Sequence, residues 1–144
     1  LTSIDLSPLC NVTTIGNCFL LCHASLRSIE LAHFSKVTSI GNYFLGWCRS
    51  LESIDLSPLS NVTRVGDRFL TECTSLTRID LSPLSNVPSI GDGFLDSCKS
   101  LASLDLSPLS NVTSIGDHFL SYTPLSDSEE VKKFIKRIRE NSWK

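Results

Sequence analysis

The residues of this sequence that could do chemistry are six cysteines, three histidines and a regularly spaced set of carboxylates. The histidines are His23, His33 and His118, which are spread over different parts of the chain. No serine lies in a nucleophile-elbow sequence, and no glycine-rich phosphate loop occurs. We therefore expect a protein that is not an enzyme and that has neither catalytic residues nor a cofactor.

The regularly spaced carboxylates recur every 25 residues, each between two apolar residues of an alternating segment such as Ser53-Ile54-Asp55-Leu56-Ser57. Alternation predicts that they project from the outer face of a strand and form one column. The column is Asp5, Glu30, Asp55, Asp80 and Asp105. It is either a docking stripe for a basic partner or for Ca²⁺, or a solvated acidic edge copied with the repeat. We favour the solvated edge.

The cysteines fall into two groups. Cys48, Cys73 and Cys98 share one position of the repeat, where His23 and Thr123 are the equivalents, and we expect them to be small buried apolar groups. Cys10, Cys18 and Cys22 occur only in the first repeat. They lack the close Cys-x-x-Cys pair of a zinc site, so we predict no metal centre. A local disulfide among these three is open if the protein is extracellular.

Three asparagines fit the glycosylation pattern Asn-x-Thr, namely Asn11, Asn61 and Asn111. The same residues belong to the consensus of a turn, which explains the pattern without a glycan. Whether these residues are glycosylated depends on the compartment, and the sequence leaves that open.

The whole chain follows a period of 25 residues. It predicts five units, at 1–25, 26–50, 51–75, 76–100 and 101–125, that stack into an α/β solenoid because no single unit can bury its own apolar residues. In each unit the alternating segment predicts a strand of a parallel sheet, and Ser-Pro-Leu-Ser-Asn predicts a turn. Val-Thr-Ser-Ile-Gly predicts a second short strand on another face. An Asn or Asp N-cap then predicts a short helical turn that carries Phe-Leu.

The last 19 residues, 126–144, break the period. Val131, Phe134, Ile135 and Ile138 recur at helical spacing, and Ser126 to Glu129 has the spacing of a capping box. We predict an amphipathic helix that caps the open C-terminal end of the stack, in preference to a basic helix that lies on a membrane.

The repeat resembles the BspA-like class of leucine-rich repeats. Its pattern is Leu-x-x-Ile-x-Leu followed by Val-x-x-Ile-Gly-x-x-Phe-Leu-x-x-Cys, as in 76–81 and 87–98, and the match covers residues 1–125. Repeats of that class are usually shorter, and the extra residues here fall in the Ser-Pro-Leu-Ser-Asn turn. The resemblance implies a leucine-rich-repeat solenoid without enzymatic chemistry. It also implies the role of bacterial and protist surface or secreted proteins that act as adhesins or interaction modules.

Positions that differ between units are the guide to a partner. The most variable columns surround the Phe-Leu turn, and we expect them to share one outer surface. Unit 2 holds Tyr43, Trp47 and Arg49 there, which are residue types favoured at binding hot spots, and unit 3 adds Arg68 and Glu72. We predict a contact site for a protein partner, or for a glycan, although drift on an exposed face would give the same pattern.

Composition limits the remaining classes of function. The net charge is −2 and no stretch is long and apolar enough to cross a membrane, so we expect neither nucleic-acid binding nor membrane insertion. Methionine is absent, from which we expect Leu1 to follow processed or upstream sequence. We predict an interaction module, adhesin-like or scaffold-like, at the cell surface or secreted in preference to cytoplasmic. The alternative is an assembly subunit whose N-terminal repeat stacks on further repeats or on a second copy.

Overall fold

The computed structural model describes residues 4–141, and it repeats one pair of short elements five times. Each unit has a three-residue 3₁₀ helix, and these helices are Ser7–Leu9, Ala32–Phe34, Ser57–Leu59, Ser82–Leu84 and Ser107–Leu109. Each unit then has a two-residue strand: β1 Thr14–Ile15, β2 Ser39–Ile40, β3 Arg64–Val65, β4 Ser89–Ile90 and β5 Ser114–Ile115. A single α-helix, α1 (Glu129–Asn141), follows the last unit.

The strands of neighbouring units pair in parallel, in a register shifted by one whole unit. Ile15 faces Ile40, and Ile40 faces Val65, in a three-stranded sheet of order β1-β2-β3. Strands β4 and β5 form a separate two-stranded sheet. The prediction of a short strand in Val-Thr-Ser-Ile-Gly is therefore confirmed. The stack is parallel because every unit repeats the same path.

The prediction of a main strand in the alternating segment is wrong. Residues 53–56 run without regular secondary structure, and the carboxylate of Asp55 accepts the N–H of Ser57 at 2.9 Å. That hydrogen bond closes an Asx turn and takes a donor that a ladder would need, and the following proline has no donor to give. The apolar and polar alternation is still observed, because Ile54 and Leu56 are buried and Asp55 is exposed.

The predicted helical turn after the glycine is also wrong. Three alternate residues of this segment have positive φ in every unit, for example Tyr43 at 60°, Leu45 at 51° and Trp47 at 62°. An α-helix cannot contain such residues. The N–H groups of these three residues bond to neighbouring units instead, for example that of Leu45 to the carbonyl of Phe19 at 3.0 Å.

The predicted N-cap residues form a ladder between units. The side chain of Asn17 accepts the N–H of Asn42 at 2.8 Å, and Asn42 accepts that of Asp67 at 2.8 Å. The side chain of Asp67 likewise accepts the N–H of Asp92 at 2.9 Å, and the side chain of Asp92 accepts that of Asp117 at 2.8 Å. Each of the first four side chains therefore satisfies a backbone donor of the following unit.

The core is a column of stacked phenylalanines with leucine columns beside it. Neighbouring rings of Phe19, Phe44, Phe69, Phe94 and Phe119 are nearly parallel, with centroids 5.2–5.6 Å apart. Phe34 of unit 2, which replaces the leucine of the usual turn, is also buried and meets Phe19 edge to face at 5.6 Å. Repeated apolar positions thus build one continuous core.

Helix α1 packs on the last unit, and the predicted amphipathic stripe is confirmed. Val131, Phe134 and Ile138 are buried and Ile135 is half-buried. The helix begins later than the predicted capping box, because the Oγ of Ser128 accepts the N–H of Val131 at 3.2 Å. This helix is too short and too polar to cross a membrane. Among the residues that the structure describes, no helix is long and apolar enough to do so.

Candidate interaction site

The candidate site lies on the outer surface of units 2 to 4. In unit 2 the chain turns Phe44 and Leu45 into the core, whereas Tyr43 and Trp47 keep 38% of their surfaces exposed. The backbone fixes this arrangement, because the N–H of Tyr43 bonds to the carbonyl of Asp67 at 2.8 Å and that of Trp47 to Thr71 at 2.7 Å. Both aromatic rings are therefore presented by a backbone that is tied to unit 3.

Charged groups surround the two rings. The guanidinium of Arg49 lies over the ring of Trp47, 4.9 Å from its centroid, and 4.0 Å from the carboxylate of Glu72. Arg68 and Asp96 form a closer pair at 3.0 Å, and the Oγ of Ser97 donates to the same carboxylate group at 3.0 Å. Every charge at the site is therefore paired with an opposite charge.

A shallow depression of about 130 Å³ lies between these groups. Its lining residues are Tyr43, Trp47, Arg68, Thr71, Glu72 and Asp96. The volume accommodates a single side chain or a sugar-sized group, and it is too small for a drug-sized ligand. The arrangement offers apolar ring faces and positioned hydrogen-bonding groups.

The structure brings together five of the predicted site residues, namely Tyr43, Trp47, Arg49, Arg68 and Glu72. The sequence analysis missed Thr71 and Asp96, which lie at one position of neighbouring units. That position also varies, through Leu21, Gly46, Thr71, Asp96 and Ser121, so the same comparison of units could have found them.

The acidic column is a separate feature. Asp5, Glu30, Asp55, Asp80 and Asp105 are all exposed, and each accepts the N–H of the residue two positions later at 2.9 Å. Hydrogen bonding by the following serine lowers the pKa of the four aspartates below the usual 3.8. Each carboxylate thus stabilises the start of a 3₁₀ helix. No group of three or more ligating side chains that could hold a metal ion occurs in residues 4–141.

The two groups of cysteines differ as predicted. Cys48, Cys73 and Cys98 are buried, and their thiols donate to the carbonyls of Leu20, Leu45 and Leu70 at 3.1–3.3 Å. Burial raises the pKa of all three, that of Cys98 to about 12. Cys10, Cys18 and Cys22 are free and exposed.

The Asn-x-Thr asparagines take part in the turn. The side-chain amides of Asn61 and Asn111 donate to the carbonyls of Ser35 and Ser85 at 3.0 and 3.1 Å, and Asn11 accepts from Lys36 at 2.9 Å. These hydrogen bonds between units give the asparagines a structural role that does not require a glycan.

Parallel stacking of 25-residue units, with leucine and phenylalanine columns inside and variable residues outside, defines a leucine-rich-repeat protein. The family model of the BspA type leucine rich repeat region matches residues 1–144 in six copies. The chain belongs to this family. The family model counts six copies where the period predicts five units, and 144 residues are too few for six full units of 25 residues. No curated protein and no solved structure matches the chain.

Proposed function

We propose that this chain is a non-enzymatic protein-interaction module, adhesin-like or scaffold-like, whose five units form one continuous solenoid. We place its contact site at Tyr43, Trp47, Arg49, Arg68 and Glu72. Membership of the leucine-rich-repeat family supports an interaction role, because such repeats commonly present a variable surface on a constant core. A protein partner fits this surface better than a glycan, since two ion pairs, Arg49–Glu72 and Arg68–Asp96, flank the depression.

The single observation that carries the proposal is the presence of two exposed aromatic rings at one charged depression. Tyr43 and Trp47 each keep 38% of their surface exposed, and both line this depression together with Arg68 and Glu72. Aromatic and arginine side chains are the residue types that carry most of the binding energy at interfaces. Unit 4 has Gly93 and Ser97 at the positions of the two rings, on a backbone with the same positive φ.

The test transfers the residues of unit 4 onto unit 2, as Tyr43→Gly, Trp47→Ser and Arg49→Lys. Proteins captured by the original chain and lost by this variant support the site, provided that the variant unfolds at an equal or higher temperature. The matched control is Tyr122→Ser, which removes an exposed ring at the position of Trp47 in unit 5. A variant that retains every partner, or a control that loses the same partners, contradicts the proposed site.

A second candidate function is assembly through unit 1, as a stack on further repeats or on a second copy. Val12, Phe19 and Leu20 are half-buried, whereas their equivalents in unit 2, Val37, Phe44 and Leu45, are fully buried. Sedimentation equilibrium tests self-association. A dimer that dissociates on Leu21→Ser, which introduces the residue of unit 5, supports this function, and a monomer at all concentrations contradicts self-association of this chain.

A further inference from the structure

Pro88 occupies a position at which the other four units have threonine. The N–H of this residue normally bonds to the carbonyl at the same position of the preceding unit. The bonds from Thr38 to Thr13, from Thr63 to Thr38 and from Thr113 to Pro88 are all 2.8 Å long. Proline has no N–H. The carbonyl of Thr63 therefore lacks the donor that its equivalents have.

The interruption extends beyond the proline. The N–H groups of Gly41, Gly66 and Gly116 bond to the preceding unit at 2.8–2.9 Å, and within residues 4–141 Gly91 has no such bond. A Cβ placed on Gly66 or Gly116 would lie 2.6 or 2.7 Å from the carbonyl carbon of the preceding glycine. On Gly91 the nearest backbone atom would be the Cα of Asp67, at 3.2 Å. Units 3 and 4 are thus farther apart at this corner.

The gap is visible as a division of the sheet and as a groove. Strands β3 and β4 are not paired, although β2 pairs with β3 and β4 with β5. A groove of about 500 Å³, lined by Thr63, Arg64, Val65, Asn86, Pro88 and Ser89, lies between them. We call this corner the Pro88 seam.

The core and the opposite surface remain closed at the same boundary. Phe69 and Phe94 stack with centroids 5.2 Å apart, and the N–H of Leu95 bonds to the carbonyl of Phe69 at 2.9 Å. Arg68 of unit 3 pairs with Asp96 of unit 4 at 3.0 Å, and the side chain of Asp96 is only 12% exposed. The pair is shorter than the Arg49–Glu72 pair at 4.0 Å, and it links the two units that the seam separates.

We infer that the Pro88 seam is a hinge of the repeat stack, at which units 3 and 4 open locally, and that the Arg68–Asp96 pair is its latch. Local opening requires the least free energy where the fewest hydrogen bonds must break. Units 1–3 therefore separate from units 4–5 and α1 more readily than other neighbours do. The inference does not depend on the proposed partner site.

Amide hydrogen exchange measured by NMR tests the hinge with matched probes. Leu95 is compared with Leu70 and Leu120, which make equivalent bonds across the neighbouring boundaries. Gly91 lacks the bond that Gly66 and Gly116 make, so its exchange reports the missing bond, whereas exchange of Leu95 reports opening of the boundary. After correction for intrinsic rates, we expect Leu95 to exchange at least about tenfold faster than Leu70 and Leu120. Equal protection of the three leucines overturns the inference.

Two substitutions separate the hinge from ordinary variation along the stack. Pro88→Thr restores the residue of the other units, so we expect it to bring Gly91 and Leu95 to the rates of their equivalents. Thr113→Pro creates the same defect one unit later, so we expect fast exchange at Gly116 and Leu120. Fast exchange that persists after Pro88→Thr, or normal rates after Thr113→Pro, contradicts the role of the proline.

The latch is tested with Asp96→Ser, which introduces the residue of unit 5. We expect it to accelerate exchange of Leu95 about tenfold in the original chain and less than about threefold in Pro88→Thr, where backbone bonds close the seam. The same acceleration in both backgrounds would show that the ion pair acts independently of the seam and would contradict the latch.

Discussion

The ring of Phe134 in α1 stacks on the ring of Phe119 in unit 5, with centroids 5.2 Å apart and planes 23° apart. The helix thus adds a sixth ring to a column that the repeats build with one phenylalanine each. This contact takes the place of the next repeat and covers the apolar end of the core. We propose on this basis that α1 is the C-terminal cap of the stack.

If α1 caps the stack, removal of the Phe134 ring alone should strongly lower the stability of the protein. We expect Phe134→Ala to lower the free energy of unfolding by about 3 kcal/mol, because a buried ring and its stacking partner are lost. Denaturant unfolding measures the change. Lys133→Ala, on the exposed side of the same helix, should change it by less than about 0.5 kcal/mol. An unchanged midpoint for Phe134→Ala, or for a chain that lacks residues 126–144, would show that α1 is not a cap.

Two glycines at the same position of the repeat should respond differently to alanine. The Cβ of alanine at position 66 would lie 2.6 Å from the carbonyl carbon of Gly41, whereas at position 16 nothing lies within 4 Å. We expect Gly66→Ala to destabilise the protein by about 1–3 kcal/mol and Gly16→Ala to be close to neutral. Thermal unfolding of both variants is the measurement. Equal losses would mean that the effect arises from conformational freedom rather than from close approach of the units.

The aspartates of the acidic column should make stability depend on pH. Their pKa values are lowered in the folded protein, so their contribution is present above the usual value of 3.8 and is lost as the pH falls through the lower folded values. Asp55→Asn, Asp80→Asn and Asp105→Asn together keep the turn acceptor and remove the titration. We expect the triple variant to lose less stability than the original chain between pH 5 and pH 2, measured by urea unfolding. An identical pH profile would contradict this role of the column.

The six thiols should fall into a reactive group of three and an unreactive group of three. Cys10, Cys18 and Cys22 are exposed, whereas burial raises the pKa of Cys48, Cys73 and Cys98 and hides their sulfur atoms. A thiolate is the reactive form. We expect a disulfide reagent at pH 8 to modify three thiols in the folded, reduced protein and six after denaturation. Rapid reaction of all six would show that the stack opens far more readily than its packing indicates.

The sequence predicted the burial pattern of each unit better than its backbone. Alternation of apolar and polar residues correctly placed Ile54 and Leu56 inside and Asp55 outside. It did not predict that the Asp55 side chain would accept the N–H of Ser57, because a strand and an Asx turn share the same pattern of residue types. Side-chain competition for a single donor decides between them.

The left-handed residues had no signal in the sequence. Leu45, Leu70 and Leu95 have φ values of 51–56°, although leucine carries none of the preference for this conformation that glycine or asparagine has. Their N–H groups bond to the preceding unit, so the contact between units fixes the backbone. Comparison of the units identified the variable surface that contains the candidate site, but a single sequence does not say what binds there.

The ladder of Asn17, Asn42, Asp67, Asp92 and Asp117 governs how such a chain changes length. The first four side chains each accept the N–H of the equivalent residue in the next unit, so each of those units depends on its predecessor for this bond. Duplication or loss of one whole unit replaces a neighbour by its equivalent and keeps every bond. Gain or loss of a single residue misaligns the ladder, the phenylalanine column and the strands together. The number of units is therefore free to drift during evolution, while the length of the unit is held constant.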